Sequence, residues 1–415
     1  MKAEVVVIGG GPAGLAAALK ASEHADVMLL EREDELGGIL PQCIHDGFGN
    51  FIFNEMMTGP EYAQHFIDGV KKSDIDVRLE TAVLEIGMDR KIVATNPAGI
   101  MEIEARAIVL AMGCRERTRN QILIPGTRPA GIYTAGTAQR LINIEGVMPG
   151  RKIVMLGSGD VGLIMARRFA LEGAEVEGVY ELLPKPGGLT RNIVQCLDDY
   201  DIPLHLSHTI TDIKGKERVE GVTIARVDES MSPIKETERF IPCDCLILAV
   251  GLIPENELSK QVGIAIDKRT GGPFVDEHME TSVPGIFACG NVAHVHDLVD
   301  DVTLASEIAG TYAGKYAAGK IEEAGRVNIT AGKNVRYVVP QFLRGLDMDS
   351  ITFYFRVKEE SEDVNIVISD GDRIIFEKRE MVVKPPEMVK VVMPSSLLAN
   401  TGGEVRIDVE GKYEK

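Results

Sequence analysis

Three features of the sequence predict an α/β protein built from two copies of one strand–turn–helix plan, with an all-β domain at its C-terminal end. A glycine-rich turn joins a β-branched strand to a helix-favouring run near residue 9 and again near residue 157. Each turn is followed, 104 residues on from Gly9 and 94 from Gly157, by an apolar strand that ends in Gly113 or Gly251. After Gly325 the texture changes from alanine- and glycine-rich to a two-residue alternation, which is the period of a half-buried strand.

In the first copy, Ala3 to Ile8 reads as a strand, Gly9-Gly10-Gly11-Pro12-Ala13-Gly14 as the turn and Leu15 to Ala21 as the helix. A second strand, Val27-Met28-Leu29-Leu30, ends at Glu31. The spacing has a physical reason. Gly9 permits the tight turn, Gly11 lets a pyrophosphate approach the backbone, and Gly14 lets the helix pack closely on the sheet. The unpaired N–H groups of the helix start then face the phosphates, and Glu31 is placed to accept hydrogen bonds from a ribose diol.

The second copy runs from Lys152-Ile153-Val154-Met155-Leu156 through Gly157-Ser158-Gly159-Asp160-Val161-Gly162, a helix to Leu171 and a strand ending at Glu181. A carboxylate there accepts both hydroxyls of an adenosine ribose and repels a 2′-phosphate, and the following Leu182-Leu183-Pro184-Lys185-Pro186 supplies one cation only. The second site is therefore expected to take NAD(H) in preference to NADP(H).

Composition narrows the function classes. With 45 Lys and Arg against 63 Asp and Glu, the formal charge of -18 disfavours nucleic acid and anionic lipid as partners. The longest apolar run, near Cys245 to Ile253, is too short to span a bilayer, and Met1-Lys2 leads straight into the first strand without a secretory signal. A cytoplasmic location is expected, with the six scattered cysteines as thiols.

With these motifs the chain resembles the pyridine-nucleotide:disulfide oxidoreductase superfamily over roughly residues 1 to 325. The returning segment Thr281-Ser282-Val283-Pro284-Gly285-Ile286-Phe287-Ala288-Cys289-Gly290-Asn291 completes the match, with Asn291 where the family usually has an aspartate on the flavin ribitol. The resemblance implies two Rossmann-like domains, one for FAD and one for NAD(P), the second inserted in the first. The FAD-binding domain is expected at 1–117 and 265–328, the NAD-binding domain at 118–264 and an antiparallel β-sandwich of about six strands at 329–415.

It also implies further cofactor contacts beyond the glycines and the two acids. These fall on Pro12, Ala13, Arg32, Gly38, Ile39, Gln42, Val83, Ala111 and Gly113, on Asp160, Val161 and Gly251, and on Gly290, Asn291 and Thr303, the last near the start of a helix expected after Asp301. More narrowly, Gly37-Gly38-Ile39-Leu40-Pro41-Gln42-Cys43-Ile44-His45-Asp46-Gly47-Phe48-Gly49, Gly113-Cys114-Arg115-Glu116-Arg117 and His294-Val295-His296-Asp297 are similar to one branch. It contains the FAD/NAD-binding subunits of opine and amino-acid dehydrogenases and hydrogen cyanide synthase, and flavoproteins found with anaerobic glycerol-3-phosphate dehydrogenases. The implied activity is an FAD-dependent NADH:acceptor oxidoreductase, working as a homo-oligomer or with a dehydrogenase subunit. The alternative is an electron-transfer or assembly subunit with little turnover of its own.

Individual residues refine this. Dithiol chemistry needs two cysteines beside the flavin, and only Cys43 follows Gly37-Gly38. Cys43 either cycles through sulfenic acid, as in flavin-dependent NADH peroxidases and oxidases, or is a pocket-lining or buried thiol. His45 is either a proton relay or a hydrogen-bonded structural histidine. His294 and His296 share a face in an extended segment, but a flavin enzyme needs no metal and none is expected. Cys243 and Cys245 lead into an apolar strand and read as core. The tail carries no catalytic constellation, so it either docks a partner or caps the fold.

Overall fold

The computed structural model describes residues 1–320, 325–345, 347–399 and 401–411. The parts of the expected FAD-binding and C-terminal domains at 321–324, 346, 400 and 412–415 lie outside the described residues. The chain divides into two compact units, one of Met1–Pro41, Asp46–Cys114 and Pro254–Lys415, the other of Gln42–His45 and Arg115–Ile253.

The first unit is built on a seven-stranded sheet in the order Asp76–Arg78, Val27–Leu30, Lys2–Ile8, Gly99–Leu110, Lys91–Asn96, Ala82–Ile86, with Ile286–Ala288 also paired to Gly99–Leu110. Lys2–Ile8 runs parallel to both neighbours, with Val5 opposite Val27 and Ala107. Its last four residues are buried, as suits a parallel strand covered on both faces. The helix Pro12–Ser22 begins with proline at its first turn, where a missing N–H costs nothing, and continues through alanines. Those small side chains serve packing. A Cβ on Gly310 of the helix Val299–Ala317 would stand 2.1 Å from the Ala17 carbonyl oxygen, so glycine there lets the two helices touch backbone to backbone.

The C-terminal strands of this unit form two sheets. One has the order Phe342–Leu343, Val327–Ala331, Glu404–Gly411, Ser361–Asp370, Arg373–Val383, and the other Val335–Val339, Ser350–Val357, Val389–Pro394. Inward residues of both, including Phe353, Phe355, Ile366, Val391 and Ile407, share one core, which makes a sandwich. Two details differ from the expectation. Among the described residues it has eight strands, and Val327–Ala331 runs parallel to Glu404–Gly411, so the sandwich is not wholly antiparallel. The first strand precedes the expected boundary at residue 329, and the long excursion between the two partners frees them from the reversal that a hairpin imposes.

The second unit has a five-stranded parallel sheet, Ile132–Thr134, Cys245–Leu248, Lys152–Leu156, Glu175–Glu181, Leu204–Leu206, and a three-stranded antiparallel sheet, His208–Gly215, Val219–Arg226, Arg239–Pro242. Cys243 and Cys245 are in its core, as expected. Among the described residues no helix is long and apolar enough to cross a membrane.

Candidate functional site

The two glycine turns are built alike. In the first unit Gly9 has φ +107° and a Cβ there would meet the Ala111 carbonyl oxygen at 2.5 Å, while a Cβ on Gly14 would sit 1.7 Å from the Gly9 oxygen. Both glycines are demanded by the fold itself. Gly11 is different. Its backbone is extended at φ -76°, and a Cβ would meet nothing nearer than the Gly38 Cα at 3.7 Å.

The second unit repeats the distinction. Gly157 has φ +96° and would place a Cβ 2.2 Å from the Ala249 oxygen, and Gly162 would drive one to 2.6 Å from the Ala249 Cβ. Gly159, at φ -66°, would meet only the Ala249 oxygen at 3.8 Å. At the middle position of each turn, therefore, neither backbone conformation nor packing asks for glycine. Each leaves an open cradle at a helix start with no side-chain cap, where backbone N–H groups and the helix dipole favour an anion. The residues fit a bound pyrophosphate.

The two acids are held in the same way. Glu31 is buried, its Oε2 accepting the Gly10 N–H at 2.5 Å and its Oε1 the Glu33 N–H at 2.9 Å. Glu181 is also buried and accepts the Ser158 N–H at 2.9 Å and hydroxyl at 2.7 Å through Oε2, and the Leu183 N–H at 3.0 Å through Oε1. Each carboxylate thus braces its own glycine turn, and of the about four acceptor sites that two oxygens offer, Glu31 keeps about two and Glu181 about one for a ribose hydroxyl.

The remaining expected contacts are distributed as follows. Gly290, at φ +69°, faces Ala13 so closely that a Cβ would stand 2.7 Å from the Ala13 Cβ. Gly38, at φ +58°, presses on Gly11, Pro12 opens the first helix and Ala111 lines the turn at Gly9. Ile39 is 56% exposed, and Arg32 is an exposed side chain beside Glu33. Val83 sits half-buried in Ala82–Ile86, opposite Ala94. Gly113 and Gly251 both have positive φ. Val161 is 41% exposed at the second helix start. Asp160 is committed to the loop after Glu181, accepting the Leu189 N–H at 2.8 Å and the Asn192 amide at 2.6 Å.

Gln42, Cys43 and His45 group with the second unit. The Gln42 amide donates to the Gly136 oxygen and to Gln139 Oε1, both at 2.9 Å, and Cys43 Sγ lies 3.7 Å from the same Gln139 oxygen. Burial pushes the Cys43 thiol up to about 12, a direction that disfavours the thiolate which nucleophilic and redox thiol chemistry requires, although the side chain is only half-buried. None of the six cysteines is in a disulfide. His45 is half-buried.

Asn291 Oδ1 accepts the His296 N–H at 3.0 Å, which turns its Nδ2 toward Cys114 Sγ at 3.8 Å. The helix expected to begin near Thr303 begins at Val299. Asp300 and Asp301 fall in its first turn, where acidic side chains favour helix, so they open it instead of preceding it. Thr303 is consequently buried in the second turn, its hydroxyl 2.7 Å from that of Tyr62. Asp300, considered from the sequence only as a neighbour of the His294 and His296 pair, accepts the N–H groups of Gly49, Phe51 and Ile52 and fixes that loop. Among the described residues no group of three or more metal-ligating side chains is assembled.

Residues 3–318 match the pyridine nucleotide-disulphide oxidoreductase family. The chain belongs to this family. It is a flavin-dependent NAD(P)H oxidoreductase, with FAD and NAD(P)H as the family's cofactors.

Among curated relatives the oxidoreductase is 26% identical over 366 residues to an opine oxidase subunit of Agrobacterium tumefaciens, covering 82% of this chain and 71% of that one. It is 27% identical over 289 residues to the hydrogen cyanide synthase subunit HcnB of Pseudomonas protegens, covering 64% of this chain and 60% of the relative. Of solved structures, the thioredoxin reductase of T. acidophilum superposes with a TM-score of 0.62 at 22% identity, over 77% of this chain and 99% of that one, a likeness of fold. The two nucleotide-binding domains and the β-rich C-terminal region anticipated from the sequence are the fold of the oxidoreductase.

Proposed function

We propose that NADH, in preference to NADPH, reduces an FAD held in the first cradle, and that the electrons leave to an acceptor outside this chain. FAD is assigned to 1–117 and 265–328 and NADH to 118–264. The observation that carries the reading is the pair of open cradles at Gly11 and Gly159, each backed by an acid with acceptor sites to spare. Gly9, Gly11, Gly14, Glu31, Gly290 and Asn291 hold FAD, and Gly157, Gly159, Gly162 and Glu181 hold NADH. Bound FAD supplies the ring that accepts a hydride from the nicotinamide, and the protein's part is alignment.

An external acceptor is favoured because the sequence offers no dithiol pair beside Gly37-Gly38. Burial pushes the Cys43 thiol up, away from the thiolate, and no second cysteine is near it in sequence. Cys43→Ser is accordingly expected to leave flavin reduction by NADH unchanged in rapid mixing, and a slower reduction would give the thiol a role. The same experiment on wild type tests the whole reading: NADH should bleach the flavin band near neutral pH, and a stable yellow colour would refute an enzyme of this direction.

Glu181→Gln removes the charge that repels a 2′-phosphate. The preference for NADH over NADPH, as a ratio of kcat/KM, is expected to fall by about tenfold or more, the size of one partly screened charge contact. An unchanged ratio would remove Glu181 from the ribose site.

Two relatives are named as subunits, one of opine oxidase and one of hydrogen cyanide synthase. They support a second reading in which this chain serves a dehydrogenase complex and turns over little alone. Bleaching by NADH only after a partner flavoprotein is added would favour it. The oligomer, whether of like copies or with such a dehydrogenase partner, belongs to the same proposal.

A further inference from the structure

The sandwich grips the turn that carries Asn291. Arg356, on the strand Ser350–Val357, has a side chain only 14% exposed and an ion pair with Asp297 through Nη2. The same guanidinium donates to the Val295 oxygen at 3.4 Å, to the Pro386 oxygen and to the Tyr337 hydroxyl at 3.2 Å. Asp297 Oδ2 also accepts the Met388 N–H at 2.6 Å, and on the neighbouring strand Lys390 Nζ lies 2.6 Å from Asp301 in the first turn of Val299–Ala317.

Burying an arginine is expensive unless its donors are matched, and simple capping of the fold would be served as well by apolar contact. Here the charges converge on one short stretch. Arg356 fixes Val295 and Asp297, and the residue between them, His296, gives its N–H to Asn291 Oδ1 at 3.0 Å. With the oxygen so occupied, the Asn291 amide has one orientation.

We propose that Arg356 is a positioning residue for the flavin, acting through Asp297 and His296 on the Asn291 amide. This rests on the reading that Asn291 faces FAD. The C-terminal sandwich then has a task within its own chain: it sets the turn that returns to the flavin.

The test uses the full chain carrying Arg356→Met, Arg356→Lys or Asp297→Asn, with Asn291→Ala alongside. FAD dissociation constants come from titrating apoprotein with FAD, the position of the bound-flavin absorption band is recorded, and thermal unfolding of each apoprotein is followed. Arg356→Met and Asp297→Asn should weaken FAD at least about tenfold, about 1.4 kcal/mol, and shift the band. Arg356→Lys should recover part of both.

If Arg356→Met merely lowers the unfolding temperature while affinity and band stay as in wild type, the residue is structural and the proposal falls. Should that variant fail to fold, the nearly isosteric Asp297→Asn decides by the same two readouts. An Asn291→Ala protein with unaltered affinity and band would overturn the underlying reading of Asn291. A change in Asn291→Ala without one at Arg356 and Asp297 would overturn the positioning role alone.

Discussion

Gly11→Val is expected to give a folded but colourless protein. The position has an extended φ that valine adopts freely, and the nearest atom to its Cβ would be 3.7 Å away, so the fold should lose no more than about 1 kcal/mol for a poorer helix N-cap. The branched side chain would instead fill the space where a pyrophosphate must touch the backbone. A loss of about 4 kcal/mol, or about a thousandfold in FAD affinity, follows from excluding those contacts. Gly159→Val is the mirror case: it should stay yellow and no longer be bleached by NADH. Gly14→Ala makes the contrast, because its Cβ would collide with the Gly9 oxygen at 1.7 Å and the damage should appear in unfolding. Flavin content per chain and urea unfolding distinguish the three. A yellow Gly11→Val protein with normal affinity would put the flavin elsewhere.

Acid should destabilise the protein through two histidines. His294 and His296 lie with their rings 4.0 Å apart against Tyr354, and among the described residues none of their four ring nitrogens has a hydrogen-bond partner. Burial, then His296 and Arg356, hold His294 well below the usual imidazole range. Burial, then Arg356 and Lys390, bring His296 to about 3.

A histidine whose folded value is depressed binds its proton first in the unfolded chain. Its stabilising contribution is whole above about pH 6.5 and shrinks as the pH falls toward the folded value. At pH 5 that amounts to about 2 kcal/mol for each ring. Asp276 works with the opposite sign: burial raises its carboxyl well above the ordinary range, so the stability linked to its proton is lost as the pH rises. Comparing wild type with His294→Phe/His296→Phe cancels that background. Urea unfolding from pH 8 to pH 5 should show wild type falling below the double variant by about 4 kcal/mol relative to their difference at pH 8. Parallel curves would mean that the rings are solvated or protonated in the native state.

What the sequence revealed was local. Gly9, Gly14 and Glu31, or Gly157, Gly162 and Glu181, lie within one strand–turn–helix–strand passage, so their spacing alone places them together. The open middle glycines were legible for the same reason. The beginning of Val299–Ala317 was placed after Asp301, about one turn late, although the charges of Asp300 and Asp301 suit a helix start. The grip of Arg356 on Asp297 joins residues 59 apart in sequence and leaves no periodic trace. Likewise the pairing of Val327–Ala331 with Glu404–Gly411 depends on which edge of the sheet the returning chain meets. Cys43 was visible as a lone thiol, but the upward push on its pKa comes from burial, which spacing does not report.

Glu181 has a consequence for redesign. This one carboxylate ties down Ser158 and Leu183, so if it also reads the ribose as proposed, coenzyme preference and turn rigidity are inherited together. An arginine there would gain a phosphate partner and strip three hydrogen bonds from the loop that must present it. A lineage or an engineer moving this chain toward NADPH would first need a new tether for Ser158, so the shortest mutational path is not the passable one.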